Sequence, residues 1–581
     1  MKPTITEYLV ISMYLIFMLL TGLAFRRLIR NFSDYFRSGC RATWWLVGAS
    51  VFMSAFSAWT FTGAAGVAYA SGISVAIIFL ANSFGYLVNF LFTAPYFRRM
   101  RAITFPEVIR QRFDTQTQQF YVWVGVIPGI LTAGLTLLGV AIFTSAVFGF
   151  NLQITIVVLG MVVLMYSTIG GKWSVMATDF IQTLILMPMA LLVSYLSLRY
   201  IGGFSELIAE IKRQNLPDLI HFVDRAPKSQ FTSGWIVAMF CYVFISYNSM
   251  GASSKFYACK DERGARKAAA LAFFLMLFGS FIWFIPPIVA RLKFSAIVNA
   301  QALTKPAESA FAVISMHLLP KGLSGLIVVA MFSATMSSLD TMLNGHAAII
   351  SQDVYIPYFR PKASQREIFI VGEIASIVVG FLIISSALYF STQKDNSLFE
   401  YMMKFGSLLG TPMIVPMFMA FFIKKAPRWS AVFSICCAFV FSYLSYRNEW
   451  SYEKTVFTNL TAGVVSFLLT TFFWKFSSAE YPKKVEAFYR KLRTPVDFEK
   501  EVGKPNDALQ LKIVGYVVFS ISAFIFLLLL VPNPLSGRLQ ILFIGCVILF
   551  LSFVMMAAAH SAKKGNQPNG CKTNENHDSE S

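Results

Sequence analysis

Charge is scarce in this 581-residue chain: Asp, Glu, Lys and Arg supply only 13% of it, about half the share of a typical soluble protein. That excludes an ordinary water-soluble domain. Histidine is rare too. His221, His317, His346, His560 and His577 are scattered, and no two stand at a metal-ligand spacing. The seven cysteines are Cys40, Cys241, Cys259, Cys436, Cys437, Cys546 and Cys571. Their odd number and spacing give neither a zinc pattern nor a disulfide framework. Adjacent Cys436 and Cys437 lie in an apolar segment and read as packing residues. No Gly-x-x-x-x-Gly-Lys-Ser/Thr loop is present, so ATP is not the expected driving force. No catalytic arrangement emerges, and the chain does not read as an enzyme.

What the sequence has in excess is apolar surface. It is 56% hydrophobic with 58 phenylalanines, and its mean hydropathy is +0.62. Apolar windows long enough to cross a bilayer recur along it. They lie near 7–24, 45–71, 75–97, 119–148, 152–170, 177–200, 233–252, 268–292, 322–351, 367–392, 402–423, 429–446, 455–475, 511–531 and 538–559. This predicts an all-α polytopic membrane protein of about fifteen transmembrane helices. The first window lacks a basic leader and a cleavage site, so it reads as a retained span.

The net charge of +20 comes from 49 Lys+Arg against 29 Asp+Glu. With no zinc-finger spacing or aromatic-basic interleaving, it does not point to nucleic acid. It points instead to orientation. Arg26, Arg27, Arg30, Arg37 and Arg41 follow the first window. Arg98, Arg99, Arg101, Arg110 and Arg112 follow the third, and Lys255, Lys260, Arg263, Arg266 and Lys267 follow the seventh. The turns near 71–73 and 150–153 hold none. Odd-numbered spans are therefore expected to end in the cytoplasm of a cell (plasma or inner) membrane, with the N-terminus outside and the C-terminus inside. The outer loops 201–232 and 293–321 carry short amphipathic patterns. The charged segment 476–510 reads as a cytoplasmic connector, and 562–581 as a disordered tail.

Three polar constellations sit at membrane depth. The first is Ala334-Thr335-Met336-Ser337-Ser338-Leu339-Asp340-Thr341-Met342-Leu343-Asn344. Hydroxyls and carboxylates are oxygen ligands, and at this depth they are costly unless they face protein, water or an ion. The segment reads as a cation site. The second constellation is a pair of interrupted helices. One carries Ser54, Ser57, Thr60 and Thr62 before Gly63 and Gly66; the other ends in Ser246-Tyr247-Asn248-Ser249-Met250-Gly251. Two breaks at corresponding places are the sign of inverted repeats around a midplane site. Packing through small residues is the alternative reading of the first break. The third is Asp179, an intramembrane aspartate just after Gly170-Gly171-Lys172, which reads either as functional or as an interfacial cap.

Taken in order, these motifs resemble the sodium:solute symporter family from about Tyr8 to Trp474. The markers are Thr104-Phe105-Pro106-Glu107 with Arg112-Phe113, then Gly170-Gly171-Lys172 to Asp179 and Gln182. Next come Lys255-Phe256 with Ala258-Cys259-Lys260-Asp261, where Ser254-Lys255 replaces the family's Gln-Arg. Last is Leu319-Pro320-Lys321-Gly322-Leu323 leading into Ser337-Ser338. The resemblance implies a LeuT-like 5+5 inverted repeat. The repeats would fall at about 45–200 and 233–423 of a membrane domain covering 1–475. The connector 476–510, two extra helices in 511–561 and the tail would lie beyond it.

The same resemblance implies a sodium ion as coupling ion, a small-molecule substrate and the bilayer as partners, with no obligate protein partner evident. It places a shared sodium site on the carbonyls of Met53, Phe56 and Ala334 and the hydroxyls of Ser337 and Ser338. Some members hold a second sodium, and the corresponding positions here are Asp179, Ser337, Asp340 and Thr341, which could take sodium or a proton. Where a galactose-carrying member uses Gln, Glu, Lys and Gln, this chain has Thr60, Phe79, Met276 and Met403. The substrate contacts are therefore expected among Thr60, Asn82, Tyr242, Tyr247, Asn248 and Lys404. Lys404 reads either as a counter-charge for an anionic solute or as a lysine snorkelling to the interface. Import by alternating access is the implied activity. A membrane sensor that keeps the fold without flux, and proton coupling, stay open as alternatives.

Overall fold

The computed structural model describes residues 5–26, 38–223, 231–300, 306–393, 396–503 and 507–565. Arg27, Arg30, Arg37 and residues 566–581 of the expected disordered tail lie outside them, while its first residues, 562–565, continue the helix Leu535–Gly565. The described residues form helices throughout. The one β feature among them is an isolated bridge between Ala42 and Cys259. Eleven helices are long and apolar enough to cross a membrane, or twelve if the bent pair Ser233–Tyr247 and Met250–Ala258 is one span. The fifteen expected windows all fall on helices, but they do not all separate: 152–170 and 177–200, expected as two spans, lie on the one continuous helix Leu152–Ile201. Trp44–Ser54 is a short apolar helix, and Leu152–Met165 is the apolar first stretch of that long one. The windows 45–71 and 75–97 meet at Gly72, where the chain turns at φ +73°.

The first break sits where Ser54 ends one helix and Ser57 starts the next. Ala55 leaves helical geometry, and Ser57 is extended. The Ser57 hydroxyl accepts the Trp59 N–H, a serine N-cap that restarts the helix at Ala58. The second break bends the chain by 52° after Tyr247. There the Asn248 side chain is held on three sides. Its amide donates to the Phe244 carbonyl (2.9 Å), and its Oδ1 accepts from Asn89 Nδ2 (3.0 Å) and Thr93 Oγ1 (2.8 Å).

Two contacts position these broken helices. Trp44–Ser54 lies against Glu262–Ile282 so closely that a Cβ on Gly48 would stand 2.9 Å from the Ala268 carbonyl oxygen. The polar helix Leu323–Ala348 is buried along almost its whole length, and Thr335 Oγ1 accepts the Ala58 N–H at 3.0 Å, tying it to the first break.

The basic loops after the third and seventh windows meet at one face. Arg98 Nε donates to the Cys259 carbonyl (2.6 Å), and Arg99 pairs with Glu262 (2.9 Å). The connector is docked on that same face. Its helix Glu480–Arg493 buries Tyr481, Val485, Phe488, Tyr489 and Leu492. Arg112 donates to the Tyr481 hydroxyl (3.0 Å), and Arg101 pairs with Glu501 (2.8 Å). The Arg101 hydrogen bond holds the Glu501 carboxyl below the usual carboxylate range. The two extra helices, Asp507–Leu527 and Leu535–Gly565, cross-link through Ser522 to the Gly545 carbonyl and Ser552 to the Gly515 carbonyl, both 2.9 Å. They are fastened at both ends. Gln510 bonds the backbone of Arg41 and Thr43, and Asn533 bonds both the N–H and the carbonyl of Lys321.

Candidate functional site

At the first break, the turn from Met53 to Ser57 points carbonyls toward the polar helix. The Ser338 hydroxyl donates to Phe56 O at 3.1 Å and to Met53 O at 3.4 Å. The second bond is long for a hydroxyl donor. Ser337 Oγ is buried and has no hydrogen-bond partner among the described residues. Ala334, one turn earlier, is fully buried. The sequence-predicted residues Met53, Phe56, Ala334, Ser337 and Ser338 thus converge on one oxygen-rich spot. A buried hydroxyl left without a partner is expensive, and an oxygen-only cluster at a helix break suits a hard monovalent cation.

A second cluster lies deeper along the same helices. Asp179, on Val175–Ile201, is fully buried and accepts a short hydrogen bond from the Ser50 hydroxyl. The Lys255 ammonium lies 3.8 Å from Asp179 Oδ2. It donates to Ser50 Oγ at 2.9 Å and to Thr341 Oγ1 at 2.8 Å. Asp340 is also fully buried. Sequence reasoning named Asp179, Asp340 and Thr341, did not name Ser50, and counted Lys255 among the orientation-setting charges of a loop, whereas the structure buries it beside Asp179. The signal was available: a lysine in the half-helix after a membrane-depth break is functional by default. On the other side, Tyr14 accepts from Ser333 and from Gln182 (3.4 Å), bringing the first helix against this network. The side chains of Gly170-Gly171-Lys172 lie outside the described residues.

The expected substrate residues divide into groups. Thr60 is buried with its hydroxyl unpartnered. The neighbouring residue Trp59 belongs to a cluster of aromatic rings. Trp59 stacks on Phe399 with centroids 6.0 Å apart and on Phe79 at 6.2 Å, and Phe79 meets Trp283 edge-on at 5.2 Å. The mapped Phe79 and Met276 are buried within the main core. Asn82 is buried. Tyr242 lies over Gly406 and Gly410, and Tyr247 packs edge-on against Tyr86 at 4.7 Å. Asn248 is spent on holding the second break. Lys404 is exposed and donates to Asn396 Oδ1 at 2.7 Å. The described residues therefore contain no single hydrogen-bonded network that gathers Thr60, Asn82, Tyr242 and Lys404.

The motif around Thr104 has a structural task. Thr104 caps the helix Phe105–Arg112 by accepting the Glu107 N–H, and its hydroxyl donates to Asp353 at 2.8 Å. Gln118 and Gln119 reach Asp353 as well.

Comparison with known proteins completes the picture. The family model described as sodium:solute symporter family matches residues 35–437. The chain is 26% identical over 492 residues to sodium/glucose cotransporter 4 of Mus musculus, covering 77% of this chain and 69% of that one. It is 25% identical over 438 residues to the sodium/glucose cotransporter of Vibrio parahaemolyticus, covering 71% and 79%. Among solved structures, it superposes on a substrate-bound, outward-open Na+-coupled sialic acid symporter with a TM-score of 0.69. The identity is 20%, and the match covers 81% of this chain and 98% of that one. A nucleobase-cation-symport-1 family transporter in a closed conformation gives a TM-score of 0.54 at 16% identity, covering 79% and 99%. The structural matches establish the fold as the LeuT-like inverted repeat.

Proposed function

Since the chain belongs to the sodium:solute symporter family, we propose that it is a sodium-coupled symporter importing a small organic solute by alternating access. One observation carries the reading. The Ser338 hydroxyl stands within reach of the Met53 and Phe56 carbonyls while the buried Ser337 hydroxyl beside it lacks a partner. Sodium at that spot would accept oxygens from Met53, Phe56, Ala334, Ser337 and Ser338. It would stitch the broken helix to the polar helix and so favour one state of the carrier. The relatives' sodium/glucose cotransporter names support the same coupling.

The solute would sit beside this ion, among Thr60 and the aromatic rings around Trp59, with Asn82, Tyr242, Tyr247 and Asn248 on the neighbouring helices. Phe79, Met276 and Met403 offer no hydrogen bonds to a hexose, which needs many. A solute smaller than a hexose, or an anionic one, fits better, and the exposed Lys404 is the candidate counter-charge at the rim. An inward sodium gradient and the membrane potential would drive import, and the basic loops favour a cell-membrane orientation with the N-terminus outside and the C-terminus in the cytoplasm. Each charge moved inward is worth about 2.3 kcal/mol per 100 mV.

The test is an uptake screen in proteoliposomes over a solute library, with and without an inward sodium gradient. Accumulation of one solute that depends on the gradient is expected. Substrate binding with neither gradient-driven uptake nor counterflow would replace the carrier with a sensor.

A further inference from the structure

We infer that the Lys255 ammonium is a tethered occupant of the second cation position, so that this carrier binds and moves a single sodium ion per cycle. The inference rests on the symporter reading and concerns its stoichiometry.

The geometry around Lys255 is that of a filled cation site. Three oxygens from three helices surround its nitrogen: Thr341 Oγ1 at 2.8 Å, Ser50 Oγ at 2.9 Å and Asp179 Oδ2 at 3.8 Å. The donors are ordered to suit an ammonium. Lys255 donates to Ser50, and Ser50 passes its own proton toward Asp179. Thr341 accepts from Lys255 and donates to the Ser337 carbonyl at 2.9 Å. The hydroxyl oxygens that a metal ion would need are thus already turned to the amine.

Burial makes the occupancy permanent. Lys255 is 7% exposed and Asp179 and Ser50 are fully buried. A sodium ion entering here would have to push a like charge into the protein interior and leave it unpaired, which is strongly unfavourable. The ammonium is also covalently attached, so its effective concentration at the site is far above that of a free ion. The first cluster is as deeply buried, but there Ser337 Oγ has no partner among the described residues, and the Ser338 hydroxyl is bonded to the Phe56 and Met53 carbonyls and not to an amine. A cavity of about 150 Å³ lined by Ser254, Thr341 and Asn344 reaches the edge of the Lys255 cluster. An ion would therefore have a way in once the amine is removed.

The experiment counts bound sodium on the purified full-length protein by equilibrium binding of radioactive sodium, independently of transport. One ion per chain with a Hill coefficient of about 1 is expected for the natural protein. Lys255→Ala should expose Asp179, Ser50 and Thr341 and bind two, with the Hill coefficient rising toward about 2. Lys255→Arg should keep one, and Lys255→Ala combined with Asp179→Asn should return to one. Two ions on the natural protein overturn the inference without any variant, which covers a Lys255→Ala chain that does not fold. A folded Lys255→Ala protein that still binds one ion with unchanged affinity also overturns it. No sodium binding by the natural protein would instead remove the symporter reading, and the inference with it.

Discussion

The hydroxyl of Ser338 lies 3.1 Å from the backbone carbonyl of Phe56, a residue 282 positions earlier in the chain. That contact joins the two helices that the sequence interrupts or makes polar at membrane depth, and it is where the ion prediction begins.

Replacing Ser337→Ala and Ser338→Ala together removes two hydroxyl oxygens and leaves only carbonyls. The sodium concentration for half-maximal uptake should rise at least tenfold, about 1.4 kcal/mol. Uptake titrated against sodium in a well-expressed double variant checks this, and an unchanged curve would rule the serines out as ligands.

Asp340→Asn keeps the volume and deletes a buried charge. If Lys255 supplies the cation of the deeper cluster, the sodium-to-solute ratio should survive this change even where the rate falls. Reversal-potential measurements on both proteins decide, and an altered ratio would make Asp340 a sodium or proton ligand.

Galactose should be a poor substrate, because Phe79, Met276 and Met403 cannot bond its hydroxyls. Lys404→Met should weaken an anionic solute far more than a neutral one, since only the former loses an ion pair. Because Lys404 is exposed, high salt should shrink that difference. Sodium-driven galactose uptake at high affinity would refute the apolar reading of the midplane.

Gly72 and Gly149 both have positive φ, +73° and +69°, but only Gly72 is crowded. A Cβ there would meet the Leu219 backbone at 2.2 Å, whereas none of its kind is found near Gly149. Gly72→Ala should therefore lower the melting temperature in detergent well beyond Gly149→Ala, whose cost is the backbone penalty of about 1–2 kcal/mol. Equal shifts would mean the Leu219 contact yields.

The Arg101–Glu501 pair gives the docked connector a pH signature. Glu501 titrates below its ordinary range, so its contribution is present above the unfolded carboxylate value, about 4.3, and is lost as pH falls through the lower folded value. Protection of residues 494–503 from protease should be flat from neutral pH to that point and decline beneath it. Arg101→Ala should remove the pH dependence. Because both side chains are partly exposed, the effect should be small.

Much of this was legible from residue order. Window length and hydropathy located the helices. Ser57 and Asn248 marked the breaks because short polar side chains cap or hold a helix end. Ser337 and Ser338 stood out as hydroxyls too deep to be idle. What could not be read was pairing across distance. Nothing in the local sequence says that Lys255 reaches Ser50, 205 positions away, or that Asn248 turns inward to hold Asn89 and Thr93. The connector read only as a charged cytoplasmic segment because its charges dominate its composition, while its buried side is a stripe of Tyr481, Val485, Phe488, Tyr489 and Leu492. Lys404 had two readings because a long side chain can go either way, and here its ammonium settled on Asn396.

Gly48 leaves no room for even a methyl group between its helix and Ala268. At this point the Ala268 carbonyl and the Leu271 side chain together fill the space beside Gly48, at 2.9 and 3.0 Å from such a Cβ. Trp44–Ser54 and Glu262–Ile282 are therefore expected to move as one body, and Gly48→Ala should force them apart.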